Sequence, residues 1–154
     1  MLAAGDIPEI GSRFFRVDPL DGTKEFIKRN GEFTVNIALV EDGAPVAGVV
    51  YTPALGEIFA GDRSGARRAR LEGGAFVDWT DIQARAAPQG GLRVVASRSH
   101  AGGETEDYLN RFEIADLVSA GSSLKLCKVA AGEADLYPRL GRTMAWDIAA
   151  GHAV

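Results

Sequence analysis

The chain holds a single cysteine, Cys127, in 154 residues. That excludes an intrachain disulfide and suits a reducing compartment, so the expected location is the cytoplasm. No apolar run approaches the roughly 20 residues that a membrane-spanning helix needs. The chain is therefore not expected to cross a bilayer, and peripheral association with an inner membrane stays open. The opening Met1-Leu2-Ala3-Ala4-Gly5-Asp6 lacks both the basic region and the apolar core of a signal peptide. Basic charge is also short: 17 Lys and Arg stand against 21 Asp and Glu, a net charge of −4. Duplex nucleic acid is thereby removed from the expected partners, and an anionic ligand would need a local cationic pocket or a metal. No internal repeat or low-complexity segment is visible. Homo-oligomerisation is left open.

What is present is ordinary globular material, with 46% hydrophobic and 25% charged residues. The length fits one domain or two small lobes. Phe14 to Val17 reads as a short strand that ends at an Asp-Pro turn, and Lys24 to Ile27 as the start of a short helix. In the stretch from Glu32 to Val40, Phe33, Val35, Ile37 and Leu39 alternate with Thr34, Asn36 and Ala38, which predicts a strand whose Phe33 side is buried. Glu41-Asp42-Gly43 returns the chain into a second strand over Ala44 to Thr52, giving a hairpin. Glu57 to Ala60 and Ala66 to Leu71 read as further strands. The second of these carries Arg67, Arg68 and Arg70, as expected of a solvated sheet edge. Ala84 to Gly91 reads as a linker. Beyond it come a strand over Leu92 to Ser97, a helix over Thr105 to Phe112, a strand over Ile114 to Ser119 and a helix over Ser122 to Asp135, with Ser122 or Ser123 as its N-cap. The expected fold is mixed, α+β and α/β, with layered sheets and helices. An antiparallel part over residues 1–88 precedes an α/β part over residues 89–154. The final segment from Trp146 to Val154 reads as a helix barely begun, which suggests an internal piece of a larger protein.

Two stretches carry chemistry. Val17-Asp18-Pro19-Leu20-Asp21-Gly22-Thr23 sets two carboxylates three residues apart, around a proline and before a glycine and a hydroxyl. Pro19 pushes Asp18 towards extended backbone, Gly22 permits close approach of a ligand, and the following helix start offers free amides to an anion. An Asx turn capping a helix is the plain alternative. The second stretch is Trp146-Asp147-Ile148-Ala149-Ala150-Gly151, where Asp147 sits at a helix start and could be no more than an N-cap. Taken together, Asp18, Asp21, Asp147 and the carbonyl of Leu20 would supply hard oxygen ligands suited to Mg²⁺. Thr23 could hold a water by its hydroxyl, and Asp21 or a nearby acid could accept its proton.

Asp-Pro-Leu-Asp-Gly-Thr followed far downstream by Trp-Asp-Ile-Ala-Ala-Gly resembles the signature pair of the inositol monophosphatase superfamily. The resemblance covers essentially the whole chain. It implies metal ligation by Asp18, Asp21, the Leu20 carbonyl and Asp147, and phosphate contacts from Gly22 and Thr23, with Thr23 helping to activate water. Four further stretches look like the bacterial 3'(2'),5'-bisphosphate nucleotidases of sulfate assimilation: Thr23-Lys24-Glu25-Phe26-Ile27, Ser97-Arg98-Ser99-His100, Gly121-Ser122-Ser123-Leu124-Lys125 and Leu136-Tyr137-Pro138-Arg139. That branch implies removal of the 3'-phosphate from 3'-phosphoadenosine 5'-phosphate, with Ser99, His100, Gly121, Ser122, Lys125 and Arg139 on the substrate side. Inositol phosphatases typically place a glutamate at the position of Arg139. An arginine there offers a planar fork to a second phosphate. An inositol or broader sugar phosphatase, and a nucleotide-binding module without turnover, are the alternatives. The last is motivated by a departure from the family pattern: no Glu-Glu pair precedes Asp18. His152 reads as structural, and Cys127 as a small buried hydrophobe.

Overall fold

The computed structural model describes residues 11–97 and 103–154. Six consecutive strands form one antiparallel sheet in the order of the chain: β1 (Arg13–Asp21), β2 (Thr34–Glu41), β3 (Ala44–Thr52), β4 (Glu57–Asp62), β5 (Gly65–Glu72) and β6 (Ala75–Ile82). A short helix, α1 (Thr23–Lys28), interrupts the meander between β1 and β2. The second part begins with β7 (Leu92–Ala96), crosses through α2 (Gly103–Leu109) and returns as β8 (Ile114–Ser119), which pairs with β7 in parallel. Two helices close the described chain, α3 (Leu124–Ala130) and α4 (Ala145–Ala153).

The hairpin, the parallel pair and the terminal helix agree with the sequence pattern, but several details do not. The buried face of β2 is the opposite one from that expected. Thr34, Asn36, Ala38 and Val40 are the buried residues, whereas Ile37 is 40% exposed. The cause is the helix that docks there. Ala38, Val50 and Phe59 meet Leu124, Cys127, Ala149 and Ala150 in one core cluster. Small residues on both sides let backbone approach backbone. A Cβ placed on Gly48 would lie 2.2 Å from the carbonyl oxygen of Ala150. The bulkier side, with Phe15, Ile37, Leu39 and Val49, instead lines an open hollow of about 910 Å³.

β5 is not an edge, because β6 pairs along it. Its arginines are engaged rather than merely solvated: Arg67 lies over the Trp79 ring, and Arg68 and Arg70 pair with Glu133 and Asp78. The long helix expected over Ser122 to Asp135 is shorter, since Ala131 ends it and Gly132 takes a left-handed φ of 68°. Ser123 stands at its N-cap position but makes no side-chain cap bond. α2 likewise stops at Leu109, short of Phe112. Residues 83–91 are irregular, yet anchored: Arg85 grips Asp135 through two bonds of 2.5 and 2.7 Å. That guanidinium, helped by the Arg93 amide, lowers the Asp135 pKa to about 2.

Gly48→Ala is expected to lower the unfolding free energy by about 1–3 kcal/mol, the usual range for overpacking a tight contact. Gly90→Ala, at a site with no heavy atom within 4 Å, serves as the near-neutral comparison. Chemical denaturation of both variants measures the difference.

Candidate metal and phosphate site

The first two carboxylates are aimed by an irregularity in β1. Its pairing with β2 runs regularly from Arg13 opposite Glu41 to Asp18 opposite Asn36, and then shifts before Asp21 opposite Thr34. Three steps on β1 span two on β2, which is a bulge. Pro19 is the reason a ladder bond can be dispensed with here, since it carries no N–H. Asp18 closes the bulge locally by accepting the Leu20 N–H on Oδ1 at 3.0 Å. The strand therefore continues through the Asp-Pro pair instead of stopping at Val17.

Gly22 then adopts φ 84° and ψ 50°, the left-handed region, and α1 starts at Thr23. A Cβ on Gly22 would lie 2.2 Å from the Ser122 hydroxyl, so only glycine lets the 121–123 turn close over this bend. Ser122 ties the two together by donating to the carbonyls of Asp21 (3.1 Å) and Glu32 (2.6 Å). Gly121 is buried beside Glu25, whose Cγ would meet a Cβ there at 2.4 Å.

Asp147 arrives from the far end of the chain. It lies in the first turn of α4, and its Oδ2 accepts the Met144 N–H at 2.9 Å and the Thr143 hydroxyl at 3.0 Å. The helix is held on β2 and β3 by the small-residue contact described above, which fixes where this carboxylate stands. Asp18, Asp21 and Asp147 thereby each offer an oxygen within 4.8 Å of the others. Burial pushes the Asp21 pKa up; the charges of Asp147 and Asp18 add to the rise, while the Ser123 N–H and the Asn36 amide oppose it. Three carboxylates so close are a donor set of hard oxygens that a divalent cation would neutralise.

Facing them is a cavity of about 310 Å³. Thr23, Ser122, Lys125, Arg139 and Asp147 all line it, and so do Glu25, Ser97 and Tyr137. Lys125 is 5% exposed. Its ammonium donates to the Ser122 carbonyl at 2.6 Å and sits 5.3 Å from the Tyr137 ring centre. Burial lowers its pKa, against the pull of Asp21 and Glu25. Arg139 is exposed and donates to the Arg142 carbonyl at 3.0 Å. Ser99 and His100, and the upstream acids Asp6 and Glu9, lie outside the described residues. Among the residues not singled out from sequence, Thr34 and Asn36 bond to Asp21 from β2. Their only sequence signal is polarity at two successive positions on one face of an apolar strand.

The chain resembles known proteins along most of its length. The model of the inositol monophosphatase family matches residues 4–154. A 3'(2'),5'-bisphosphate nucleotidase of Escherichia coli K12 is 48% identical over 144 residues, covering 92% of this chain and 55% of the relative. The Salmonella typhimurium counterpart is 46% identical over 153 residues, 98% of this chain and 58% of the relative. The chain thus spans little more than half the length of these relatives. Among solved structures, CysQ from Bacteroides thetaiotaomicron superposes with a TM-score of 0.81 at 44% identity, over 92% of this chain and 58% of that one. Mycobacterium tuberculosis SuhB gives a TM-score of 0.75 at 26% identity, over 94% and 60%.

In the metal-free protein the Asp21 contribution to stability is fully present below the ordinary value of 3.8 and is lost as pH rises through its raised folded value. Asp18→Asn keeps the oxygen that accepts the Leu20 amide while removing one charge. It is expected to leave the metal-free melting temperature equal or higher, and to abolish the stabilisation by divalent cation, about 2.7 kcal/mol for the unsubstituted chain at a hundredfold excess over Kd. Melting curves with and without Mg²⁺ or Mn²⁺ provide the check.

Proposed function

The chain belongs to the inositol monophosphatase family, and on that premise we propose that it is a Mg²⁺-dependent phosphomonoesterase site for 3'-phosphoadenosine 5'-phosphate, releasing the 3'-phosphate to leave AMP. The observation that carries this reading is the pairing, around one 310 Å³ cavity, of a carboxylate group containing Asp21 and Asp147 with two cations, Lys125 and Arg139. A substrate with a single phosphate needs only the metal end. A second phosphate needs positive charge beyond it. The relatives that are 46–48% identical bear the name of such a nucleotidase, which supports the same choice.

Asp18, Asp21, Asp147 and the Leu20 carbonyl would hold the cation. When bound, Mg²⁺ supplies neutralisation of the phosphate charge and a lowered pKa for a bound water. Gly22 and Thr23 contact the phosphate at the cavity floor. The Thr23 hydroxyl orients the attacking water, whose oxygen bonds to phosphorus as the bond to the ribose 3'-oxygen breaks. Asp21 or a nearby acid would accept the water's proton, and a proton passes to the ribose 3'-oxygen as it leaves as the hydroxyl of AMP. Lys125 provides a fixed point charge from the wall, because its ammonium is held by the Ser122 carbonyl. Arg139 provides the planar fork for the nucleotide's other phosphate. The family resemblance assigns Ser99, His100 and Gly121 to the substrate as well. The junction of residues 1–88 with residues 89–154 is where this cavity forms.

Mg²⁺-dependent phosphate release from 3'-phosphoadenosine 5'-phosphate, compared with inositol 1-phosphate, tests the proposal. Much faster release from inositol 1-phosphate would overturn the substrate assignment. Calorimetric binding of the nucleotide and Mg²⁺ without turnover would point to a binding module. Arg139→Glu is expected to lower kcat/KM for the bisphosphate by about 10–100-fold, as for a lost charge-assisted contact of about 1.5–3 kcal/mol, with much less effect on a monophosphate. Chelation of divalent cations should abolish turnover of both.

A further inference from the structure

We propose that Thr34, Asn36 and Ser123 are positioning residues for Asp21: a buried hydrogen-bond network that commits one carboxylate oxygen to the protein and leaves the other for the metal. The proposal rests on the reading of Asp21 as a metal ligand.

The three side chains come from separate elements, β2 and the turn into α3, and they are 0%, 1% and 3% exposed. Burial of three polar groups is costly unless all their hydrogens are placed. Here they are. The Ser123 hydroxyl donates to Asn36 Oδ1 at 2.7 Å. That fixes the Asn36 amide, whose nitrogen is then turned to Asp21 Oδ2 at 3.4 Å. With the Ser123 proton spent on Asn36, the proton between Thr34 and Ser123 (2.8 Å) belongs to Thr34. The Thr34 hydroxyl is shared between Ser123 Oγ and Asp21 Oδ2, the latter at 3.3 Å. The Ser123 N–H adds the shortest bond to Oδ2, 2.7 Å. The Ser123 N–H, the Asn36 amide nitrogen and the Thr34 hydroxyl therefore all address one oxygen of Asp21, Oδ2. Among the described residues no donor reaches its Oδ1.

A carboxylate gripped on one oxygen from three directions cannot rotate. One oxygen of Asp21 lies within 4.8 Å of oxygens from Asp18 and Asp147, and the network leaves Oδ1 to face a shared cation. Donors behind a ligating carboxylate are how proteins orient a metal ligand, and their loss typically costs 10–100-fold in affinity. This also accounts for Ser123 making no cap bond to α3: its hydroxyl is used on β2. Purely structural burial would favour apolar residues at Thr34 and Asn36, where the neighbouring Ala38 and Val40 are already apolar.

The test is Mn²⁺ binding by titration calorimetry on the whole chain, together with thermal melting. Thr34→Val, Ser123→Ala and Asn36→Ala are each expected to weaken Mn²⁺ about 10–100-fold. Thr34→Ser, which keeps the hydroxyl, should retain affinity within about threefold. Thr52→Val is the control for loss of a buried hydroxyl elsewhere, since Thr52 donates to the Glu57 carbonyl. It should lower the melting temperature without moving the Mn²⁺ constant. Where turnover is measured, the activation constant for metal should rise while KM for the nucleotide holds. Should one variant fail to fold, the Thr34→Val and Thr34→Ser pair decides. Affinity within twofold of the unsubstituted chain for Thr34→Val and the other folded variants would overturn this proposal alone. Absence of Mn²⁺ and Mg²⁺ binding to the unsubstituted chain would overturn the metal reading, and this proposal with it.

Discussion

The charge crowding of Asp18, Asp21 and Asp147 is the constraint on which the remaining arrangement depends. Three carboxylates within 4.8 Å of one another repel, and Asp21 has its pKa raised by its burial and further by its two neighbours. Nothing in such a group favours its own assembly. Each member is therefore held by structure made for another reason: Asp18 by its Asx bond across Pro19, Asp147 by the amide and hydroxyl at the start of α4, and Asp21 by β2 and the turn before α3. The repulsion that remains is what a divalent cation would relieve, and only in the folded state.

Placing Asp147 requires more than its own bonds. It is 126 residues from Asp21 in sequence, and the packing of α4 across β2 and β3 brings the two together. That packing works because Gly48 and Ala38 on the sheet face Ala149 and Ala150 on the helix. Close backbone contact restricts sliding, so a helix seated on glycine and alanine delivers its first-turn carboxylate with little freedom. The small residues that weaken the hydrophobic signal of this face are thus the ones that fix the site's geometry. The same choice leaves the larger side chains, Phe15, Ile37 and Leu39, around an open hollow on the opposite face.

This explains which parts of the fold and site could be read from sequence. The hairpin β2–β3, the parallel pair β7–β8 and the acidic trio were legible, because alternation, turn residues and motif order each reported them. The face of β2 was misread because hydrophobicity counts bulk, whereas the docking helix selected smallness. β6 carries no clean alternation, since Asp78 takes a left-handed φ of 57° and the pairing with β5 shifts register between Arg68 and Arg70. Without β6 in view, β5 looked like an edge and its arginines like guards. Ser123 had the residue type and place of an N-cap, and only the three-dimensional approach of Asn36 shows its hydroxyl turned elsewhere.

The two cations at the cavity differ in kind, and the difference bears on how a doubly charged ligand would be read. Lys125 is desolvated, fixed by the Ser122 carbonyl and covered by the Tyr137 ring, and its burial already lowers its pKa. A second anion beside it restores what burial removed, so its attraction to phosphate is strong and short in range. Arg139 is exposed and donates to the Arg142 carbonyl, and its charge is partly screened by salt. Its contribution comes from geometry, as a fork that matches two phosphate oxygens at once. On the proposed reading, discrimination between one phosphate and two would depend on the geometry of the exposed Arg139. On the proposed reading, the buried Lys125 would add its fixed charge to the same recognition of the second phosphate.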